Sequence, residues 1–136
     1  MIYLDSSVLL ELYLNGSRWG EARAVLDAAE PKASSYLLMA EVPVSLRRTL
    51  SAPSHRDVLA AALQRFDADL VDITLVDDFA EVTARIRSDS RFSRCRALDA
   101  VHACTALLLK EWTGQAVRVR TFDERLERLA DELGVS

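Results

Sequence analysis

Polar and apolar positions alternate along the chain with two different periods. Residues 2–4, 32–35, 70–76 and 117–121 read as strands, and 70–76 is the clearest because β-branched side chains crowd it. Between them the apolar positions recur three or four apart, the spacing of one helix face. Asp5-Ser6-Ser7 caps a helix over residues 8–14, which Asn15-Gly16 breaks. Ser17 caps a second helix that aligns Trp19, Ala22, Val25, Leu26 and Ala29 up to Pro31. Ser34 or Ser35 caps a third, through Leu38, Glu41, Val42, Leu46 and Leu50, with Pro43 starting or kinking it. Ser54 opens a fourth with Val58, Leu59, Ala62, Leu63 and Phe66 in register. Asp78 and Glu81 stand at capping-box spacing before a fifth. Residues 98–112 form the most apolar helix, ended by Gly114, and Asp123 caps a last one with Leu126, Leu129 and Leu133 inward. Strands alternating with helices predict an α/β fold of three layers, a central parallel sheet of four or five strands with helices on both faces. A fifth strand would begin at Gly134-Val135-Ser136 and is short or missing.

Length and composition narrow this picture. The 136 residues suit one domain, 1–136, and with half the chain apolar and only four Gly and three Pro a disordered or disulfide-framed chain is excluded. Cys95 and Cys104 do not make a framework, and neither they nor His55 and His102 have zinc spacing. No secretory signal or membrane span is read, so a cytoplasmic protein with reduced thiols is expected. The net charge of −4, from 17 basic and 21 acidic residues, is not the usual footprint of a nucleic-acid binder.

The placement of the acids changes that reading. In an open parallel sheet, sites form beyond the carboxyl ends of the strands. Asp5 follows the first strand, Asp123 follows the last, Glu41 lies in the helix after the second, and Asp99 begins the most apolar helix. Carboxylates gathered there repel one another, and burial penalises their ionised forms. A hard dication such as Mg²⁺ or Mn²⁺ resolves the conflict, and a water bound to it can attack a phosphodiester. Removing the four acids leaves 17 acidic against 17 basic residues, so the charge deficit equals the proposed site.

These residues carry a resemblance. Ile2-Tyr3-Leu4-Asp5-Ser6-Ser7, Glu41, Arg96-Ala97-Leu98-Asp99-Ala100-Val101-His102-Ala103 and Thr121-Phe122-Asp123 resemble the signature of PIN-domain ribonucleases, and within them the VapC toxins of bacterial toxin–antitoxin pairs. The resemblance implies a metal-dependent endoribonuclease in which Asp5, Glu41, Asp99 and Asp123 bind Mg²⁺ or Mn²⁺. It implies that Ser6 is the hydroxyl beside the first acid and Thr121 the hydroxyl of the Thr-x-Asp element. It implies that the first and fourth strands are neighbours at the centre of the sheet. It also implies an RNA substrate, a homodimer, and a VapB-like antitoxin that binds into a heterotetramer or larger assembly.

Other readings of the same residues stay open at this level. Asp5 and Asp123 are also good helix caps, and the acids could serve structure in a non-catalytic PIN-like binding domain. A phospho-Asp phosphatase or phosphorelay domain would want an Asp-x-Asp pair or a lysine at a strand end. Here Asp5 precedes Ser6-Ser7, and neither Lys32 nor Lys110 lies at such an end. His102 shares a helix face with Asp99 and reads as a packing residue beside it. Trp19 and Trp112 read as core or interface, and the helix faces near Trp19 and Leu38 as interface. Arg85, Arg87, Arg91, Arg94 and Arg96 lead toward Asp99 and are the candidate RNA contacts, since the guanidinium fork matches phosphate.

Overall fold

Successive side chains of the first strand point to two different cores. Ile2 and Leu4 of β1 (Ile2–Leu4) join one apolar cluster and Tyr3 joins the other, as the period of a strand requires. A computed structural model covering residues 1–136 gives the elements that build these cores. In chain order β1 is followed by α1 (Ser6–Tyr13), α2 (Trp19–Asp27), β2 (Lys32–Ser35), α3 (Leu38–Thr49), α4 (Arg56–Asp69), β3 (Ile73–Val76), α5 (Phe79–Ser88), α6 (Ala97–Thr113), β4 (Arg118–Arg120) and α7 (Glu124–Leu133). The sheet has the order β3-β2-β1-β4, and every pairing is parallel. Helices α1 to α4 supply the cluster on the Ile2 and Leu4 face, and α5 to α7 supply the cluster on the Tyr3 face. This is the three-layer α/β arrangement with β1 and β4 adjacent at the register Ile2↔Arg118, Tyr3↔Val119, Leu4↔Arg120, although β4 is an edge strand and not central as expected, because no fifth strand pairs along its other side.

Local chemistry sets the element ends. Asp5 caps α1, Asp78 caps α5 by accepting from the Glu81 N–H, and Asp123 caps α7 by accepting from the Arg125 N–H. Gly114 ends α6 at φ 66°, a left-handed conformation in which an L side chain is strained. Pro43 lies inside α3, which continues past it to Thr49 although Pro43 offers no N–H to the helix ladder.

Several expectations change. Residues 70–72 form a 3₁₀ turn after α4, so β3 begins only at Ile73; helical momentum from α4 outweighs the β-branched composition. No fifth strand forms, but the Val119 N–H donates to the Val135 carbonyl at 2.7 Å and Val135 is fully buried, one ladder-like bond at the open side of β4. Neither Ser34 nor Ser35 is the cap of α3, which starts from Leu37; Ser35 Oγ accepts from the Leu37 N–H just before it. Trp19 and Trp112 are 44% and 45% exposed and so are not core, and Leu38 itself is fully buried while Tyr36 and Met39 beside it are exposed. Cys95 and Cys104 are unpaired. No helix is long and apolar enough to cross a membrane.

Candidate metal centre

The loops that follow β1 and β4 are tied together by one carboxylate oxygen. Asp5 is 6% exposed, and its Oδ2 accepts from the Ser7 N–H at 3.2 Å, from the Ser7 hydroxyl, and from the Thr121 hydroxyl at 2.8 Å. Ser7 Oγ in turn accepts from the Phe122 N–H at 2.8 Å, and Thr121 Oγ1 accepts from the Asp123 N–H at 2.9 Å. The Asp5 N–H donates to the Arg120 carbonyl, extending the β1–β4 ladder to the site. Three donors on Oδ2 leave Oδ1 as the oxygen turned to the neighbouring groups, 3.9 Å from His102 Nε2.

The hydroxyl expected at Ser6 is therefore that of Ser7. The two differ by about 100° around the helix, and only the second faces β4. Thr121 links Asp5 to Asp123, its hydroxyl donating to Asp5 Oδ2 and accepting from the Asp123 N–H.

Glu41, in the first turn of α3, reaches His102 on α6: Glu41 Oε2 and His102 Nε2 are 2.8 Å apart. Ligand atoms of Asp5, Glu41 and His102 lie within 4.8 Å of one another. His102 is 2% exposed, and its Nδ1 is 2.9 Å from the Tyr3 hydroxyl. Burial favours the neutral ring, yet the Glu41 hydrogen bond and the charges of Glu41, Asp5 and Asp99 hold its pKa above the ordinary histidine value. Its role is thus polar, and packing alone does not describe it.

Asp99, in the first turn of α6, has a buried Oδ2 with no hydrogen-bond partner. Burial pushes its pKa up, the charges of Asp123 and Asp5 push it further, and Arg125 and Arg96 oppose. Asp123 behaves in the opposite way. Burial works against its ionised form, but hydrogen bonds from the Arg125 N–H and guanidinium prevail and hold it below the ordinary value. All four expected acids thus sit at the carboxyl edge of the sheet. Only Asp5 and Glu41 enter the tight cluster, with His102 as its third member, while Asp99 couples through charge to Asp5 and His102 and also to Asp123.

The donor set fits a hard dication. It is rich in carboxylate oxygen, and the orphaned Asp99 Oδ2 is an anionic atom in a negative field that a cation would satisfy.

A cavity of about 860 Å³ opens beside Asp99. Arg91, Arg94, Arg96, Arg125 and Arg128 line it. Of the five arginines singled out from sequence, three therefore stand there. Arg85 instead clasps Glu111 on α6 through two bonds of 2.8 and 2.7 Å, and Arg87 does not line the cavity. Arg91 is also tied to Asp89, which leaves Arg94 and Arg96 without an acidic partner. Arg125 and Arg128, from α7, were missed because they follow Asp123 by chain position and join the Arg94 region only through the packing of α7 on α6.

A parallel sheet with acids gathered beyond the carboxyl ends of β1 and of the edge strand β4, flanked by helices on both faces, defines the class: a three-layer α/β protein with its candidate site at the carboxyl edge. The chain belongs to the PIN domain family, whose model matches residues 2–132. Among solved structures it is similar to the toxin VapC20 of Mycobacterium tuberculosis, described as cleaving the sarcin–ricin loop. The TM-score is 0.61 at 19% sequence identity, covering 94% of each chain. At that identity the likeness is one of fold. No curated protein matches the chain.

Proposed function

We propose that residues 1–136 act as one domain, a metal-dependent endoribonuclease and the toxin half of a VapBC-like pair. The observation that carries this reading is the buried, unpartnered Asp99 Oδ2 within the field of Asp123 and Asp5, a charge arrangement that makes sense around a dication. Membership of the PIN domain family and the fold likeness to a toxin that cleaves RNA support it.

Asp5, Glu41, Asp99 and Asp123 would hold Mg²⁺, with Mn²⁺ able to replace it. When bound, the ion supplies an acidified water and neutralises charge on the phosphate. The chain's own residues do the rest. Ser7 and Thr121 fix Asp5 by occupying Oδ2, so that Oδ1 keeps one orientation. Arg125 keeps Asp123 ionised. Arg94, Arg96 and Arg128 in the cavity beside Asp99 hold backbone phosphates and steer the strand toward the acids. Such contacts carry no base information, so selection of the RNA falls to cavity shape and surrounding loops. The partner of the toxin would be an antitoxin whose arginine enters the acidic cluster, satisfying the charges without metal. Homodimerisation belongs to the same proposal.

Cleavage of RNA in Mg²⁺ by wild type, Asp5→Asn and Asp99→Asn is the test, beside calorimetric titration with Mn²⁺. Each variant is expected to lose at least about a hundredfold in rate. Full cleavage by both variants would sink the assignment. A folded wild type that takes up no Mn²⁺ would point instead to a non-catalytic PIN-like binding domain.

A further inference from the structure

The geometry points to His102 as a positioning residue for Glu41 and not as a ligand, its ring set by a buried relay that starts at the backbone of β2. The inference rests on the metal-centre reading above and assigns the one member of the tight cluster that this reading leaves without a part.

The relay can be followed atom by atom. The Ser35 N–H donates to the Tyr3 hydroxyl oxygen at 2.9 Å. Tyr3 is fully buried, and its hydroxyl lies 2.9 Å from His102 Nδ1, with the Thr105 side chain as a further hydrogen-bond partner. His102 Nε2 faces the Glu41 carboxylate at 2.8 Å and Asp5 Oδ1 at 3.9 Å. Ionised carboxylates only accept, so Nε2 must carry a proton toward Glu41. A neutral ring with Nδ1 accepting from Tyr3 meets that condition, and so does a protonated ring. The form excluded is the neutral ring with a bare Nε2, which would set a lone pair against the carboxylate. That is also the form a metal would require of His102. Oxygen-seeking Mg²⁺ or Mn²⁺ adds no pressure to expose it.

The consequence for Glu41 is directional. One carboxylate oxygen, Oε2, is held by the imidazole N–H, which leaves Oε1 free of that bond. Asp5 is treated in the same manner, with Oδ2 held by Ser7 and Thr121. Glu41 needs the device more, because its longer side chain has an extra torsion to restrain and it leaves a helix that contains Pro43. Groups that orient ligands in this way act through the ligand they hold.

Mn²⁺ titration of His102→Leu, His102→Gln and Tyr3→Phe tests the inference, together with ring ¹⁵N–¹H correlation spectra of the metal-free wild type. Leu keeps bulk and removes the donor, whereas Gln places an N–H near the position of Nε2. Mn²⁺ affinity is expected to fall about tenfold in His102→Leu and to stay within about threefold of wild type in His102→Gln. The wild-type spectra are expected to show a proton on Nε2. Wild-type Mn²⁺ affinity in a folded His102→Leu, equal losses in Leu and Gln, or a proton on Nδ1 with Nε2 bare would each overturn it. Should His102→Leu fail to fold, Tyr3→Phe decides: the relay predicts weaker Mn²⁺ binding, and an unchanged affinity with an unchanged ring would overturn it. A wild type that binds no Mn²⁺ would defeat the metal reading itself, and the ring spectra would then decide separately whether His102 donates to Glu41.

Discussion

At Asp5 one oxygen belongs to the fold and the other to the site. Oδ2 takes three donors from Ser7 and Thr121, and Oδ1 turns toward His102. The cap reading of this residue holds and leaves room for the proposed site role, and Asp123 likewise caps α7 over Arg125. Asp99 has no such double role. Its Oδ2 is buried and unpartnered, and Asp123 and Asp5 add repulsion. Asp99→Asn is expected to stabilise the metal-free protein by about 1 kcal/mol, by removing an uncompensated charge, while abolishing cleavage. Thermal melts read this directly: Mn²⁺ should raise the wild-type melting temperature and leave the variant's unchanged. Asp5 and Asp123 were legible because chain position puts them just past strands, whereas Glu41 and Asp99 stand in the first turns of helices and were singled out with the help of the family resemblance. Ser7 was not, since neighbouring serines at a helix start differ only in rotation, and rotation is set by what α1 packs against. His102 was legible as a neighbour of Asp99 but not as a partner of Tyr3 and Glu41, which lie 99 and 61 residues away.

At the level of elements, the strands and helices followed from apolar periodicity, and the errors fell where a local rule met a tertiary one. Residues 70–72 have strand-like composition but complete the winding of α4. Trp19 follows helical register, yet α2 buries only Ala22 completely, so register there marked a face that stays half open. The Arg-rich stretch divides between two elements for an electrostatic reason. Arg85 is captured by Glu111 of α6, and Arg91 by Asp89. Asp89 also caps the 3₁₀ turn Ser90–Arg94, which carries Arg94 to the cavity. The Arg91 guanidinium, helped by the Arg91 N–H, lowers the Asp89 pKa from 3.8 to about 2. A depressed carboxylate pKa stabilises the fold above the ordinary value and ceases to do so as pH falls through the folded one. Asp89→Ala should therefore lower stability by about 1 kcal/mol at neutral pH, and the gap from wild type should close as pH drops from about 4 toward 2. Melting curves across that range check the sign.

For the whole molecule, the net charge of −4 hides a segregation of charge. Acids gather at the ends of β1 and β4, and arginines from the 3₁₀ turn and α7 line the neighbouring cavity. RNA affinity should therefore depend on salt although the protein is acidic overall. Arg96→Ala and Arg128→Ala, measured with single-stranded RNA on an Asp5→Asn background, should each reduce the slope of log K against log salt by about 0.7. An unchanged slope in both would place the RNA elsewhere. Sheet order adds a consequence for the protein's birth. β1 pairs with β4, and the donors on Asp5 come from residues as far apart as Ser7 and Thr121. A nascent chain that has reached residue 115 already carries Asp5, Glu41 and Asp99, but not the strand and hydroxyl that fix the first of them. The edge that holds Asp5 thus closes only once residues 118–121 have been made, so a chain cut short before them is expected to leave Asp5 without its donor from Thr121.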